Sequence, residues 1–177
     1  MGVIGVGNMG AALVRGIIDQ GTVRARSVTV CDLDQDLAGR ICEDLGVVDG
    51  KEARQVAGSA DLVILAAKPQ NLPSLLREIS PSINVNQTVM SIAAGVTTQS
   101  IEEGLGGHPS VIRVMPNLPA LVGEGISVFC GGSYAKESDF ERVKAVLNAV
   151  GICLKAPEGM MDPVTALSGT GPAYVFH

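Results

Sequence analysis

The segment Val3-Ile4-Gly5-Val6-Gly7-Asn8-Met9-Gly10 constrains what this chain can fold into more than any other. Two apolar residues lead into three glycines spaced GxGxxG, and a helical pattern follows at once. Strand, tight turn and helix are thus compressed into a few residues. Each glycine meets a separate demand: the first permits the turn, the second lets the backbone approach an anion, and the third allows the helix to pack closely on the strand. The helix start then presents free N–H groups, and its dipole favours negative charge. Along that helix, to Gln20, Leu13/Ile17 and Val14/Ile18 form i,i+4 pairs, and Gly21 is placed to cap it.

The same alternation continues downstream. Short β-branched runs recur at Val28–Cys31, Leu62–Ala67, Thr88–Ile92, Val111–Val114 and Ile126–Phe129, with helical patterns between most of them. Helices are expected from Asp36 to Leu45, stopped by Gly46, from Asn71-Leu72-Pro73 onward with Leu75, Leu76 and Ile79 inward, and from Ser138 to Val150, ended by Gly151. Strand then helix, several times over, implies an α/β fold with a Rossmann-type, doubly wound, mostly parallel sheet. After Leu154 the pattern changes. Pro157-Glu158-Gly159 reads as a linker, so residues 1–155 are expected to form the sheet domain and residues 156–177 the linker and the start of something else.

Composition excludes several classes of function. The hydrophobic share of 46% supports a sizeable core, while a net charge of −5 and the lack of any Lys/Arg run argue against nucleic-acid or anionic-membrane partners. No apolar run approaches the roughly eighteen residues needed to span a bilayer, and the first residues carry no basic region or cleavage site, so a cytoplasmic location is expected. Cys31, Cys42, Cys130 and Cys153 form no CxxC pair and join neither His108 nor His177 in a ligand-like cluster. They read as reduced core thiols, no metal site is expected, and His108, among Gly106, Gly107 and Pro109, reads as a surface histidine.

A GxGxxG between strand and helix, followed by a second strand ending in an acidic residue about twenty positions on, is a dinucleotide-binding pattern. Here that residue is Asp32. Its carboxylate would accept hydrogen bonds from the adenosine ribose and favour NAD(H), since like charge repels a 2′-phosphate, or it is a solvated turn residue within Asp32-Leu33-Asp34-Gln35-Asp36. No Arg stands beside it; Arg24, Arg26 and Arg40 are the nearest candidates. Ala66-Ala67-Lys68-Pro69 follows a buried strand, which places it where open α/β sheets bind ligands, with Lys68 either directed into the crevice or snorkelling at the surface. Ser91-Ile92-Ala93-Ala94-Gly95 ends the next strand with small residues that leave room for a flat ring. Asn117, in the proline-stiffened Met115-Pro116-Asn117-Leu118-Pro119 loop, is a substrate contact or a turn amide.

These residues, in order, resemble the pyrroline-5-carboxylate reductase family over essentially the whole chain. The resemblance rests on the GNM glycine loop, AAKP, SIAAGV, RVMPNLPA and, most specifically, DPVTALSGTGPAYVF at Asp162–Phe176. It implies NAD(P)H-dependent reduction of 1-pyrroline-5-carboxylate to L-proline, with NADP(H) or NAD(H) as cofactor. By the same resemblance, Ile4, Gly5, Val6, Gly7, Asn8, Met9 and Gly10 would hold the pyrophosphate, Ala66, Ala67, Lys68, Pro69, Ile92, Ala93 and Ala94 would line the nicotinamide and its ribose, and Asn117 and Ser168 would lie near the substrate. It implies no particular general acid.

The sequence departs from the family pattern in places. Leu118 stands where the family usually has Thr. Asp32 stands where NADPH-preferring members tend to have a small or phosphate-tolerant residue, and the Asn that follows the third strand has no clear counterpart around Gly50-Lys51-Glu52. Family subunits also continue into an all-helical dimerisation domain carrying a substrate-carboxylate loop, so the chain is expected to hold only the truncated start of that domain, with Pro172 at a helix start. Homo-oligomers are expected of the full-length protein, as is weak catalysis by this portion alone. Apolar exposure is expected around Tyr174, Val175 and Phe176. A 3-hydroxyacid-type dehydrogenase and a non-catalytic NAD(P)-sensing or cofactor-binding module, pyridoxal binding included, are the alternative readings.

Overall fold

A computed structural model describes residues 1–169. The expectations for Pro172 and for Tyr174, Val175 and Phe176 lie outside the described residues, as does the end of the Asp162–Phe176 motif. Eight strands form one sheet: β1 (Gly2–Ile4), β2 (Thr29–Cys31), β3 (Val48–Asp49), β4 (Leu62–Leu65), β5 (Thr88–Ser91), β6 (Ser110–Met115), β7 (Gly125–Gly131) and β8 (Gly151–Lys155). Their order is β3-β2-β1-β4-β5-β6-β7-β8. Every pairing is parallel except β6 with β7, so the last two strands run against the other six. The chain reverses there because the short turn at Leu118–Val122 joins β6 to β7 without a crossover helix.

The helices that connect the parallel strands are α1 (Asn8–Asp19), α2 (Gln35–Leu45), α3 (Ala53–Gly58), α4 (Leu72–Ile79) and α5 (Thr98–Leu105), followed by α6 (Glu137–Leu147) and a short α7 (Met161–Val164). Local chemistry sets their ends. The Asp34 side chain accepts from Leu37 N at 3.0 Å to start α2, one residue earlier than its periodicity suggests, and Gly46 ends it in the left-handed region. Thr97 caps α5 in the same way, accepting from Ser100 N.

Consecutive strand residues go to opposite faces of the sheet. Val3, Ile64, Met90 and Ile112 pack with Leu13, Val14 and Ile17 of α1 and Val143 and Leu147 of α6. Ile4, Val63, Leu65, Val89 and Val111 pack instead with Val56 of α3, Leu72, Leu76 and Ile79 of α4 and Ile101 of α5. With both faces covered, the central strands need apolar residues at every position, and this is why they read as unbroken β-branched runs. A third cluster seats Met161, fully buried, against Val128 and Cys130 of β7. The segment after Pro157 is therefore docked on the antiparallel end of the sheet. Among the described residues no helix is long and apolar enough to cross a membrane.

Candidate functional site

The C-terminal ends of β1, β2, β4 and β5 come level on one edge of the sheet. Ile4 pairs with both Cys31 and Leu65, and Leu65 pairs with Ser91. The ladder then runs one step further: Gly5 N donates to Cys31 O at 2.8 Å, Ala66 N to Ile4 O at 2.8 Å and Ile92 N to Leu65 O at 3.1 Å. The glycine loop and the two small-residue strand ends are thus adjacent. Strand order reverses direction beside β1, and open α/β sheets place ligands in the crevice at such a switch point.

The glycine loop meets the demands its spacing implies. Gly5 holds φ +99°, and a Cβ there would lie 2.7 Å from Ala66 O. A Cβ on Gly10 would press on the Gly5 carbonyl oxygen far inside contact distance, so α1 reaches its strand only because that position is bare. Gly7 is different: nothing lies within 4 Å of where its Cβ would stand. It is the N-cap of α1, and no side chain caps the helix start. Open space over uncapped N–H groups at a helix N-terminus fits a pyrophosphate.

A cavity of about 640 Å³ opens from this loop. Gly5 and Gly7, Cys31 and Asp32, Lys51 and Glu52, Ala66 to Lys68, and the start of α4 line it. Of the expected residues, Ile4, Gly5, Gly7, Asp32, Ala66, Ala67 and Lys68 meet there. Lys68, exposed just after β4, lines the same cavity as Asp32. Pro69 begins the next turn. Ile92, Ala93 and Ala94 lie outside the lining of this cavity. Ala93 packs into the core, so of these three it offers only backbone to a ligand.

Asp32 has a function that its sequence position does not reveal. Its Oδ2 accepts from Val6 N at 2.7 Å and its Oδ1 from Asp34 N at 3.0 Å. The carboxylate therefore straps the glycine loop to the end of β2. Each oxygen keeps a second lone pair, so a ribose hydroxyl contact remains compatible with this geometry. Beside it, burial pushes the Cys31 thiol up to about 12, with the Asp32, Glu78 and Asp49 charges adding to the effect. Cys31 is a neutral wall of the cavity and no nucleophile near pH 7.

Sequence reasoning missed Lys51 as a cavity residue. It adopts φ +58°, its N–H donates to Asp49 Oδ1 at 3.0 Å, and its ammonium lies 2.5 Å from Asp49 Oδ2. These hydrogen bonds raise the Lys51 pKa and lower that of Asp49. The Asp49-Gly50-Lys51 turn was the available signal, since Asp readily bonds the backbone two residues on.

Asn117 and Ser168 come together. Asn117 Nδ2 donates to Ser168 Oγ at 3.2 Å, while Asn117 Oδ1 accepts from Ile126 N at 2.8 Å. The amide thus ties the start of β7 to the turn at Thr165–Gly169. Arg113, 4% exposed, braces the same segment through Asp162 at 2.9 Å and Glu158 at 3.4 Å. Glu158 also accepts from Thr98 N and Thr98 Oγ1, each at 2.8 Å. All four cysteines are free; Cys31 and Cys130 are buried, Cys42 and Cys153 half-buried. His108 is exposed and stacks on Tyr134, with ring centroids 4.6 Å apart.

A family model described as "NADP oxidoreductase coenzyme F420-dependent" matches residues 1–95, more than half of the chain. The chain belongs to this family. Within it, the matched residues include the glycine loop, Asp32, Lys51 and the Ala66–Pro69 and Ile92–Ala94 strand ends. The chain is also similar to the pyrroline-5-carboxylate reductase of Methanosarcina acetivorans, at 36% identity over 99% of this chain and 65% of that protein. Among solved structures, the pyrroline-5-carboxylate reductase of Coxiella burnetii superposes with a TM-score of 0.92 at 32% identity, covering 99% of this chain and 65% of that one. The pyrroline carboxylate reductase of Plasmodium falciparum, solved with NADP bound, gives 0.88 at 30% identity, covering 99% and 64%. The chain therefore spans just under two thirds of the length of these relatives.

Proposed function

We propose that this chain is the NAD(P)H-binding part of a pyrroline-5-carboxylate reductase, reducing 1-pyrroline-5-carboxylate to L-proline. The observation that carries this reading is the Asn117–Ser168 contact beside the sheet edge that bears the glycine loop. A dinucleotide site needs no such feature, whereas a reductase must hold substrate at that end. The similarity to named reductases over 99% of the chain supports it further, and the relative with NADP bound supports the cofactor.

In this reading Gly5, Gly7 and the α1 N-terminus hold the pyrophosphate, Asp32 keeps their loop in shape, and Ala66–Pro69 with Ile92–Ala94 flank the nicotinamide ribose. When bound, the reduced nicotinamide supplies the hydride. A protonated cyclic imine is already electrophilic, so the residues of this chain need to orient the reactants and exclude water more than to donate a proton. Asn117 and Ser168 stand on the substrate side, braced by Arg113, Glu158 and Asp162. Residues 1–155 would form the cofactor domain and residues 156–177 the entry to a helical one. A homo-oligomeric assembly and a cytoplasmic setting, in keeping with four free thiols, belong to the same proposal.

The test is steady-state oxidation of NADPH and NADH by the complete gene product with pyrroline-5-carboxylate. Turnover with either cofactor is expected. Tight cofactor binding without turnover would instead assign a sensing module.

A further inference from the structure

The inference concerns the corner where β2 and β3 end, and it rests on the dinucleotide reading above. Val30 is level with Asp49 in the sheet, so the two chains leaving these strands put Asp32 and Lys51 side by side. Gln35 joins them, its amide donating to Asp32 O at 2.8 Å and to Lys51 O at 3.4 Å. The Lys51 side chain is 68% exposed, while its partner Asp49 is 18% exposed. Both Lys51 and Asp32 line the cavity.

In folds of this kind the adenosine ribose lies at the end of the second strand, where an acidic residue takes the 2′-hydroxyl or a nearby cation takes a 2′-phosphate. The Asp32 oxygens already accept from Val6 and Asp34, which turns the charge toward the loop. Adjacent strands are spaced about 4.8 Å apart, so Lys51 stands one strand from that position. Lys68 follows β4, two strands away in the sheet order. Arg24 and Arg26 precede β2, at the opposite edge, and neither they nor Arg40 line the cavity.

We infer that Lys51 is the cation that receives the 2′-phosphate of NADP(H), leaving Asp49 to do so, and that it sets the preference for the phosphorylated dinucleotide. The Lys51 end of its pair is exposed although Asp49 is half-buried, so the ammonium itself loses little solvation in moving. Asp49 and Glu52 flank Lys51 in the chain and Asp32 stands across from it, so without the Lys51 charge the charged neighbours of a phosphate there are acidic.

The experiment is a direct titration of the complete gene product with NADPH and with NADH, following nicotinamide fluorescence, for wild type, Lys51→Gln, Lys51→Gly and Lys51→Arg. Lys51→Gly suits the positive φ, so a folded variant without the charge is in hand even if Gln strains the turn. Wild type is expected to bind NADPH more tightly than NADH. Removal of the charge should weaken NADPH by at least about tenfold, the lower end of what one charge-assisted hydrogen bond is worth, and leave NADH unchanged, while Arg restores NADPH binding. Equal effects on both dinucleotides, or none on either, would overturn the role of Lys51 while leaving the cofactor reading in place. Failure of the wild type to bind either one would overturn that reading and this inference with it.

Discussion

Replacing Asp32 separates a structural strap from a ligand contact. In Asp32→Ala the Val6 N–H loses an acceptor 2.7 Å away, and Val6 is fully buried, so no water replaces the carboxylate without disturbing the loop. A hydrogen bond to a charged group is worth about 1.5–3 kcal/mol, and the exposed Asp34 N–H adds little because water can reach it. A loss of about 2 kcal/mol is expected. In Asp32→Asn one oxygen remains for Val6 but the charge is gone, so about 1 kcal/mol is expected. For a domain of this size each kcal/mol lowers Tm by about 2–4 °C, so Asp32→Ala should melt about 4–8 °C below wild type in the absence of any dinucleotide. The chain has no Trp, so far-UV circular dichroism is the suitable probe, with urea midpoints as a check. If Asp32→Ala melts with the wild type and only nucleotide binding changes, Asp32 is a ligand residue and the strapping argument is wrong.

Three more perturbations test other parts of the structure. Gly10→Ala puts a methyl against the Gly5 carbonyl, so α1 must shift; both stability and dinucleotide affinity should fall, by at least about 1–3 kcal/mol for the strain, measurable by denaturation and titration. Burial alone would raise the Asp139 carboxyl, but hydrogen bonds from the Lys136 N–H and the Thr88 hydroxyl and the Arg142 charge hold it below the usual 3.8. Its contribution is therefore complete above 3.8 and disappears as pH falls through the lower folded-state value, so Asp139→Asn should flatten the acid limb of a stability–pH curve; an unchanged limb would refute the assignment. Burial raises the thiols of Cys31 and Cys130 to about 12 and about 11. A thiol reagent at mildly alkaline pH should accordingly label the half-buried Cys42 and Cys153 first, and mass spectrometry of the early product reads the order.

The glycine loop, the paired apolar faces, the ends of α1 and α2 and the start of α4 were legible from the sequence because they arise from local sterics. A GxGxxG needs its turn wherever it stands, Gly46 ends a helix through its own φ, and i,i+4 pairs define a face without reference to the rest of the chain. The part of the cavity wall after Leu65 was legible too, since Ala66 and Ala67 lie at the carboxyl end of their strand however the strands are ordered, whereas the small residues after Ser91 lie outside the cavity lining. β3 was not, being a two-residue edge strand with no period of its own; α3 is a six-residue helix, and α5, as short as α4, lacks the Pro at its start that marks α4.

What only the tertiary structure decided depends on which strands are neighbours. The direction of Asp32 toward Val6, the placing of Lys51 beside it, the Asn117–Ser168 contact and the bracing of Asp162 by Arg113 each join residues far apart in sequence. Their geometry comes from strand order and from the reversal at β7, and neither is encoded in any single window of the chain. The sequence determined that a tight glycine turn and a covered, mostly parallel sheet would form, because backbone conformation and side-chain burial are settled locally. Which charges face one another across that sheet was decided by the fold, because electrostatic partners are chosen by distance in space and not by spacing along the chain.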